Sequence, residues 1–141
     1  PMLPATINKI YNAKYNNEIC TVWGDGSQLR ELTYSKDIRN IYIWFLENYS
    51  SENCVNISSG EELAIKDIVK IICEEFDYDF NLVKFDVSKP KGILKKTTDI
   101  SLQNSLNKFD FVKFKDGIKE VVKWYKKNIK NLRLDNKKNE F

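Results

Sequence analysis

The sequence predicts an α/β or α+β lobe, in which short strands alternate with amphipathic helices. Apolar residues recur at three- and four-residue steps in several segments, and short β-prone runs separate those segments. The chain has 141 residues, of which 42% are hydrophobic, so it is long enough for one domain with a core. We expect residues 1–130 to form this lobe and residues 131–141 to be a polar, basic tail that is frayed rather than a phosphate-binding arm.

The opening segment is predicted to be a helix followed by a strand, loop, strand unit. Apolar residues at helical spacing predict a helix over about Pro4–Lys14, with Pro4 in a first turn where its missing N–H is not needed. Cys20–Trp23 and Glu31–Tyr34 are β-prone, and the turn Gly24-Asp25-Gly26 separates them.

The second helix is the clearest amphipathic one in the sequence. Ser35 is predicted to be its N-cap, since a serine side chain can accept a hydrogen bond from the first turn. Its apolar residues are Ile38, Ile41, Tyr42, Phe45, Leu46 and Tyr49. After a polar break, Cys54–Ile57 is predicted to be a buried strand.

The remaining part of the chain is predicted to alternate in the same way. Ser58-Ser59-Gly60 turns the chain into a third helix with the apolar face Ile65, Ile68, Val69, Ile72, Cys73 and Phe76. The later elements are a strand over Leu82–Phe85, a basic loop over Val87–Thr98, a short helix over Asp99–Leu106 and a final helix over about Asp116–Ile129. No internal repeat is visible.

Composition excludes several classes of protein. The 23 basic and 20 acidic residues are interleaved and leave a net charge of +3, which is typical of a solvated surface and not of a nucleic-acid-binding face. No apolar run approaches the length of a membrane span, and no signal peptide is visible. Three distant cysteines without any histidine predict buried, reduced thiols, no metal site and a cytoplasmic location.

The residue types indicate ligand binding and not catalysis. The chain has no histidine, no nucleophile with a base beside it and no glycine-rich phosphate cradle, so we assign no catalytic residue. Trp23 and Arg30 flank the glycine turn and suit a ligand that carries a flat ring and a phosphate. A purely structural interpretation stays open from residue types alone: Trp23 in the core, Arg30 paired with Glu31 or Asp25, and the lysines of the basic loop solvated.

A family resemblance rests on several motifs that together cover about residues 1–130. The motifs are Val22-Trp23-Gly24-Asp25-Gly26-Ser27, Leu29-Arg30-Glu31-Leu32-Thr33-Tyr34, Leu3-Pro4-Ala5-Thr6-Ile7 with Lys9, Ser58-Ser59-Gly60-Glu61-Glu62, and Phe85-Asp86-Val87-Ser88-Lys89-Pro90-Lys91-Gly92 followed by Lys95-Lys96. In this combination the chain resembles the C-terminal, substrate-binding part of the GDP-L-fucose synthase family. These enzymes are extended short-chain dehydrogenase/reductases that act as GDP-4-keto-6-deoxy-mannose 3,5-epimerases and 4-reductases.

The resemblance implies a substrate site and partners for this chain. The family's GDP-sugar contacts fall on Trp23, Arg30 and Lys96, and less directly on Lys9. Trp23 would lie against the nucleotide, Arg30 and Lys96 would neutralise the diphosphate, and Lys9 would approach from the first helix. The full-length enzyme would use NADP(H), held by an N-terminal Rossmann domain that is absent here, and would be a homodimer. This chain alone would bind no cofactor and would be inactive.

Departures from the family pattern leave alternatives open. Pro1 stands where the family has its catalytic histidine, through truncation or substitution, and the start at Pro1 suggests an excised piece. Lys91 replaces the family's usual acid before Gly92, so the nucleotide sugar itself is not fixed. The alternatives are a non-catalytic nucleotide-sugar-binding or interaction module, an epimerase/reductase of the same family acting on another nucleotide sugar and, as a weaker idea, a basic nucleic-acid-binding protein.

Overall fold

The computed structural model of the chain describes residues 1–90 and 92–132. Its helices are α1 (Met2–Tyr15), α2 (Ser35–Asn48), α3 (Ile65–Phe76), α4 (Ser101–Leu106) and α5 (Phe114–Asn128). Its strands are β1 (Thr21–Trp23), β2 (Leu29–Glu31), β3 (Glu62–Ala64), β4 (Lys84–Asp86) and β5 (Lys95–Lys96). The predicted mixture of helices and short strands is confirmed, whereas Lys91 and nearly all of the predicted tail, residues 133–141, lie outside the described residues.

The strands form two small sheets. In one, β1 runs parallel to β4, with Trp23 opposite Asp86. In the other, the order is β3-β2-β5, with β2 antiparallel to β3 and parallel to β5. The two strands of the predicted strand, loop, strand unit therefore belong to different sheets. The second of them spans Leu29–Glu31, so the prediction of a strand over Glu31–Tyr34 is wrong except at its first residue.

The core lies around α3, which packs between α1 and α5. All six apolar residues predicted for the inner face of α3 are buried, and Ile68, Val69 and Ile72 have no exposed surface. The ring of Tyr11 in α1 meets Phe76 edge-on, with ring centroids 6.2 Å apart. This face could be predicted because the helical spacing of its apolar residues is visible in the local sequence alone.

The predicted helix α2 forms, but its apolar face lacks a complete cover. The helix begins at Ser35 with Tyr34 as N-cap and no side-chain capping bond, so the prediction that Ser35 is the cap is wrong. Ile41 is its one fully buried residue, whereas Leu46 is 86% exposed and Tyr42 is 58% exposed. An apolar stripe of this kind normally faces a core; here Phe109 contacts Trp44 and Phe45, but the described residues leave Tyr42, Ile43 and Leu46 exposed.

The segment that follows α2 shows the same lack of cover. Cys54–Ile57 forms no strand, which contradicts the predicted buried strand, and among the described residues no backbone N–H of this segment donates a hydrogen bond. The Cys54 thiol is exposed, although all three cysteines were predicted to be buried. Cys20 and Cys73 are buried, and burial raises the pKa of Cys73 to about 12.

Candidate functional site

Two cations of the candidate site lie side by side on neighbouring strands. Arg30 is the central residue of β2, and the parallel register places it directly beside Lys96 of β5. Register partners project their side chains to the same face of a sheet, about 5 Å apart at the backbone. The sequence predicted both residues for the site but placed Lys96 in a loop, so their direct pairing is a finding of the structure.

Among residues 1–90 and 92–132, neither cation has an anionic partner. No carboxylate of the described residues forms an ion pair with Arg30 or Lys96, and the recorded hydrogen bond of the Arg30 guanidinium goes from Nη1 to the carbonyl of Leu29 at 2.6 Å. The pairing of Arg30 with Glu31 is not formed; Glu31 Oε2 accepts from the backbone N–H of Thr98 at 2.8 Å. Like charges opposite each other destabilise a sheet, so an anion bound here would relieve that repulsion.

The other lysine of β5 is neutralised. Lys95 Nζ lies 2.8 Å from Glu62 Oε1 of β3. Since successive residues of a strand point to opposite faces, Lys95 and Lys96 are separated onto the two faces of this sheet. The positive charge that has no carboxylate partner among the described residues therefore lies on the face that carries Arg30 and Lys96.

Trp23 ends β1 and keeps part of its ring in solvent. Its side chain is 38% exposed, so it is not the core residue that the structural interpretation required. Lys89 Nζ lies over the ring, 5.7 Å from its centroid, within the range of a cation–π contact. The sequence placed Lys89 in a basic loop that could contribute cations to a pyrophosphate, and it predicted no contact of Lys89 with Trp23. The local signal for it was the Asp-x-Ser turn that immediately precedes it, because such turns fix the direction of the next residue.

The connection between Trp23 and Arg30 is fixed to the rest of the fold at three points. Gly24 N–H donates to the Asp86 carbonyl at 2.9 Å, at the end of the first sheet. The carbonyls of Gly26 and Gln28 accept, each at 2.9 Å, from the first two N–H groups of α3. Those N–H groups have no partner within their own helix, so the connection caps α3 while α3 holds the connection. No contact joins the two site residues directly within the described residues.

Lys9 lies apart from the other cations and makes a backbone contact. Its Nζ donates to the carbonyl of Thr21 at 3.0 Å, at the start of β1 and not at the Trp23 end. It also lies close enough to Cys20 to oppose, in part, the effect of burial, which raises the pKa of that thiol. The structure therefore gives Lys9 a role in fixing α1 to β1, and its assignment to the substrate site stays a prediction.

A metal cluster, a membrane-spanning helix and a dinucleotide-binding turn are not found among the described residues. Within residues 1–90 and 92–132, no three histidine, cysteine, aspartate or glutamate side chains are placed to hold one metal ion. No described helix has both the length and the apolar character that crossing a membrane requires. The glycines also do not fit a dinucleotide, because Gly24 and Gly26 lead into the strand β2 and not into the helix that would bind a pyrophosphate.

Comparisons with known proteins give a family match and several similar enzymes. The model of the NAD dependent epimerase/dehydratase family matches residues 1–58. GDP-L-fucose synthase 1 of Arabidopsis thaliana is 34% identical over 131 residues, which are 92% of this chain and 40% of that protein. GDP-L-fucose synthase of Dictyostelium discoideum is 33% identical over 135 residues, which are 94% of this chain and 42% of that protein.

A solved structure gives the same result for the fold. The GDP-L-fucose synthetase of Naegleria fowleri, crystallised with NADP, superposes with a TM-score of 0.88 and 32% identity, covering 94% of this chain and 42% of that one. The chain therefore spans about two fifths of the length of these relatives. By sequence and by fold, the chain is similar to about two fifths of a GDP-L-fucose synthase.

Proposed function

We propose that this chain is the GDP-sugar-binding, C-terminal part of a GDP-L-fucose synthase. The whole enzyme converts GDP-4-keto-6-deoxy-D-mannose to GDP-L-fucose by 3,5-epimerisation and NADPH-dependent 4-reduction. In this proposal the chain binds and orients the nucleotide sugar and has no activity alone. Trp23, Arg30 and Lys96 form the binding surface, and Lys9 is assigned to it on resemblance.

The observation that carries the proposal is the adjacent, unpaired pair Arg30 and Lys96. A guanidinium binds phosphate through two parallel N–H donors, and an ammonium adds a point charge, so together they suit a diphosphate. Trp23, whose ring is partly exposed, supplies a flat surface for a base. Binding the nucleotide at these residues would hold the sugar in position at a distant reaction centre, which converts binding energy into orientation.

Hydride and proton transfer are assigned to a part of the protein outside this chain. The chain has no histidine and its glycines lead into a strand, so in this proposal NADP(H) binds to an amino-terminal Rossmann domain. That domain would also supply the acid and base groups of the epimerisation. The role of this chain's residues is to bind the diphosphate and the base.

The test is made with the full-length protein that contains this chain. Incubation with GDP-4-keto-6-deoxy-D-mannose and NADPH is expected to consume NADPH, and calorimetry is expected to detect GDP binding in preference to UDP and dTDP. Binding of GDP without turnover would favour a non-catalytic module. Preferred binding of UDP or dTDP would favour another nucleotide sugar, and no binding of any nucleotide would contradict the proposal.

We further propose that the amino-terminal part docks on the uncovered face of α2 and on the segment Cys54–Ile57. The exposed side chains of Tyr42, Ile43 and Leu46 form an apolar stripe along α2. The adjacent segment has free backbone donors, as the edge of a sheet does before another strand pairs with it. Because the chain spans about two fifths of its relatives, a large part of the protein is available to cover this face.

Reactivity of Cys54 tests this docking. In the chain alone, Cys54 is exposed and is expected to react with a thiol reagent at pH 8, whereas the buried Cys20 and Cys73 react only after unfolding. In the full-length protein, Cys54 is expected to react at least about a hundredfold more slowly, because the two parts must first separate. Labelling followed by mass spectrometry measures both rates, with Cys20 and Cys73 as internal controls. Equal rates for Cys54 in the two proteins would contradict the docking.

A homodimer and a cytoplasmic location complete the proposal. The homodimer rests on the resemblance, which assigns the dimer contacts to the amino-terminal part, and the cytoplasmic location rests on the cysteines, which are predicted to be reduced. Light scattering of the full-length protein is expected to give twice the mass of one chain, and a monomer at micromolar concentration would contradict this.

A further inference from the structure

Lys89 is held over Trp23 by a well-defined turn. Asp86 ends β4, and its Oδ1 accepts from the backbone N–H of Ser88 at 3.0 Å and from the Ser88 hydroxyl at 2.6 Å. These bonds hold the pKa of the Asp86 carboxyl below its usual range. The carbonyl of Asp86 accepts in addition from the N–H of Lys89 at 3.3 Å. The backbone of Lys89 is thereby fixed, while its side chain remains exposed.

The position of the ammonium has a consequence for the site. Lys89 Nζ lies over one face of the Trp23 ring, 5.7 Å from the centroid. A base that stacks on that face must displace the ammonium. The displaced ammonium is a mobile cation with three donors on a flexible stem. If the base carries a diphosphate, the ligand itself offers the ammonium a stronger partner than the ring.

We propose, on the basis of the proposed function, that Lys89 is a further phosphate-binding residue of the site. Its ammonium covers the Trp23 ring when the site is empty. When a nucleoside diphosphate binds, its base takes the place of the ammonium on the ring, and Lys89 moves to the phosphates. Lys89 thus acts on the same ligand as Arg30 and Lys96, from the β4 side. The ligand class is a nucleoside diphosphate, because the exchange requires both a flat base and an attached anion.

The exchange predicts different effects on two ligands that share a base: weaker binding of GDP but no loss of guanosine binding. Lys89→Met keeps the length of the side chain but removes the charge, so it loses the phosphate contact and no longer competes for the ring. In the full-length protein, Lys89→Met is expected to weaken GDP binding about tenfold, as the loss of one charge-assisted hydrogen bond does. The same variant is expected to bind guanosine as tightly as the unmodified protein or more tightly. Lys89→Arg is expected to retain GDP affinity.

The experiment is calorimetric titration of the unmodified protein and of the variants with GDP and with guanosine. Lys84→Met is the matched control, because Lys84 is an exposed lysine on the same strand β4 and contacts neither Trp23 nor the proposed site. It is expected to leave both affinities unchanged. Unchanged GDP affinity in Lys89→Met would overturn this inference alone. An equal loss of GDP and guanosine binding would also overturn it, because Lys89 would then only support the ring. Absence of GDP binding in the unmodified protein would overturn the proposed function as well.

Discussion

Replacing Gly26 with alanine is expected to lower the free energy of unfolding of this chain by about 3 kcal/mol. Gly26 has φ +75°, where an L side chain costs about 1–2 kcal/mol. An added Cβ would lie 2.8 Å from Lys66 Cβ and 2.8 Å from Phe85 Cε1, and overpacking of this kind costs about 1–3 kcal/mol. Relief requires the connection to move away from α3, which would release the hydrogen bond from the N–H of Lys66 to the carbonyl of Gly26.

Gly92→Ala is the matched control for this substitution. Gly92 has a similar backbone angle, φ +68°, but an added Cβ there would meet nothing within 4 Å. Its expected cost is therefore the backbone strain alone, about 1 kcal/mol. Urea denaturation followed by circular dichroism measures both variants. If the two variants lost equal amounts of stability, the close approach of the connection to α3 and β4 would add nothing to the cost of the Gly26 substitution.

The sequence could predict the elements that depend on local periodicity. The α3 helix is the clearest case, since its six apolar residues at helical spacing are all buried. The helices α1 and α5 also form within about two residues of the predicted bounds. A helix buries a stripe that the sequence itself displays, so no knowledge of the neighbours is needed to recognise it.

The register that builds the candidate site could not be predicted in this way. The strands β3 and β5 have three and two residues, too few to show an alternating pattern. The two strands form because β2 hydrogen-bonds to both of them, although they lie in distant parts of the chain. The sequence could propose Arg30 and Lys96 as ligands of one anion through the family resemblance, but their pairing depends on this tertiary contact.

The predicted helix α2 forms, whereas the predicted buried strand Cys54–Ile57 does not, and the reason lies outside the local pattern. The pattern of α2 predicts a helix with an apolar stripe, and both are present. What the pattern cannot state is whether the surface that covers the stripe belongs to the same chain. Part of the stripe and part of the segment Cys54–Ile57 are exposed, which is consistent with one missing cover for both.

Removing one cation of the Arg30 and Lys96 pair is expected to weaken binding strongly. The same change is expected to stabilise the empty protein slightly. In the full-length protein, Lys96→Met should weaken GDP binding about tenfold and Arg30→Met about a hundredfold, since hydrogen bonds to charged groups contribute about 1.5–3 kcal/mol. In the empty protein, Lys96→Met should raise the free energy of unfolding by a few tenths of a kcal/mol, roughly the cost of like charges opposite each other in a sheet.

Lys95→Met is the control for both measurements, because it removes the same charge one residue away. Lys95 pairs with Glu62 on the opposite face, so its loss should leave GDP affinity unchanged and slightly reduce stability. Calorimetry and urea denaturation at low and high salt give the two quantities, and added salt should remove the gain in stability of Lys96→Met by screening the repulsion. In a site built for an anion, a cationic residue strengthens binding of the anion and lowers the stability of the protein when the anion is absent. If Lys95→Met and Lys96→Met behaved alike in both measurements, the two lysines would be ordinary solvated charges, and Arg30 would lose its partner in the proposed diphosphate site.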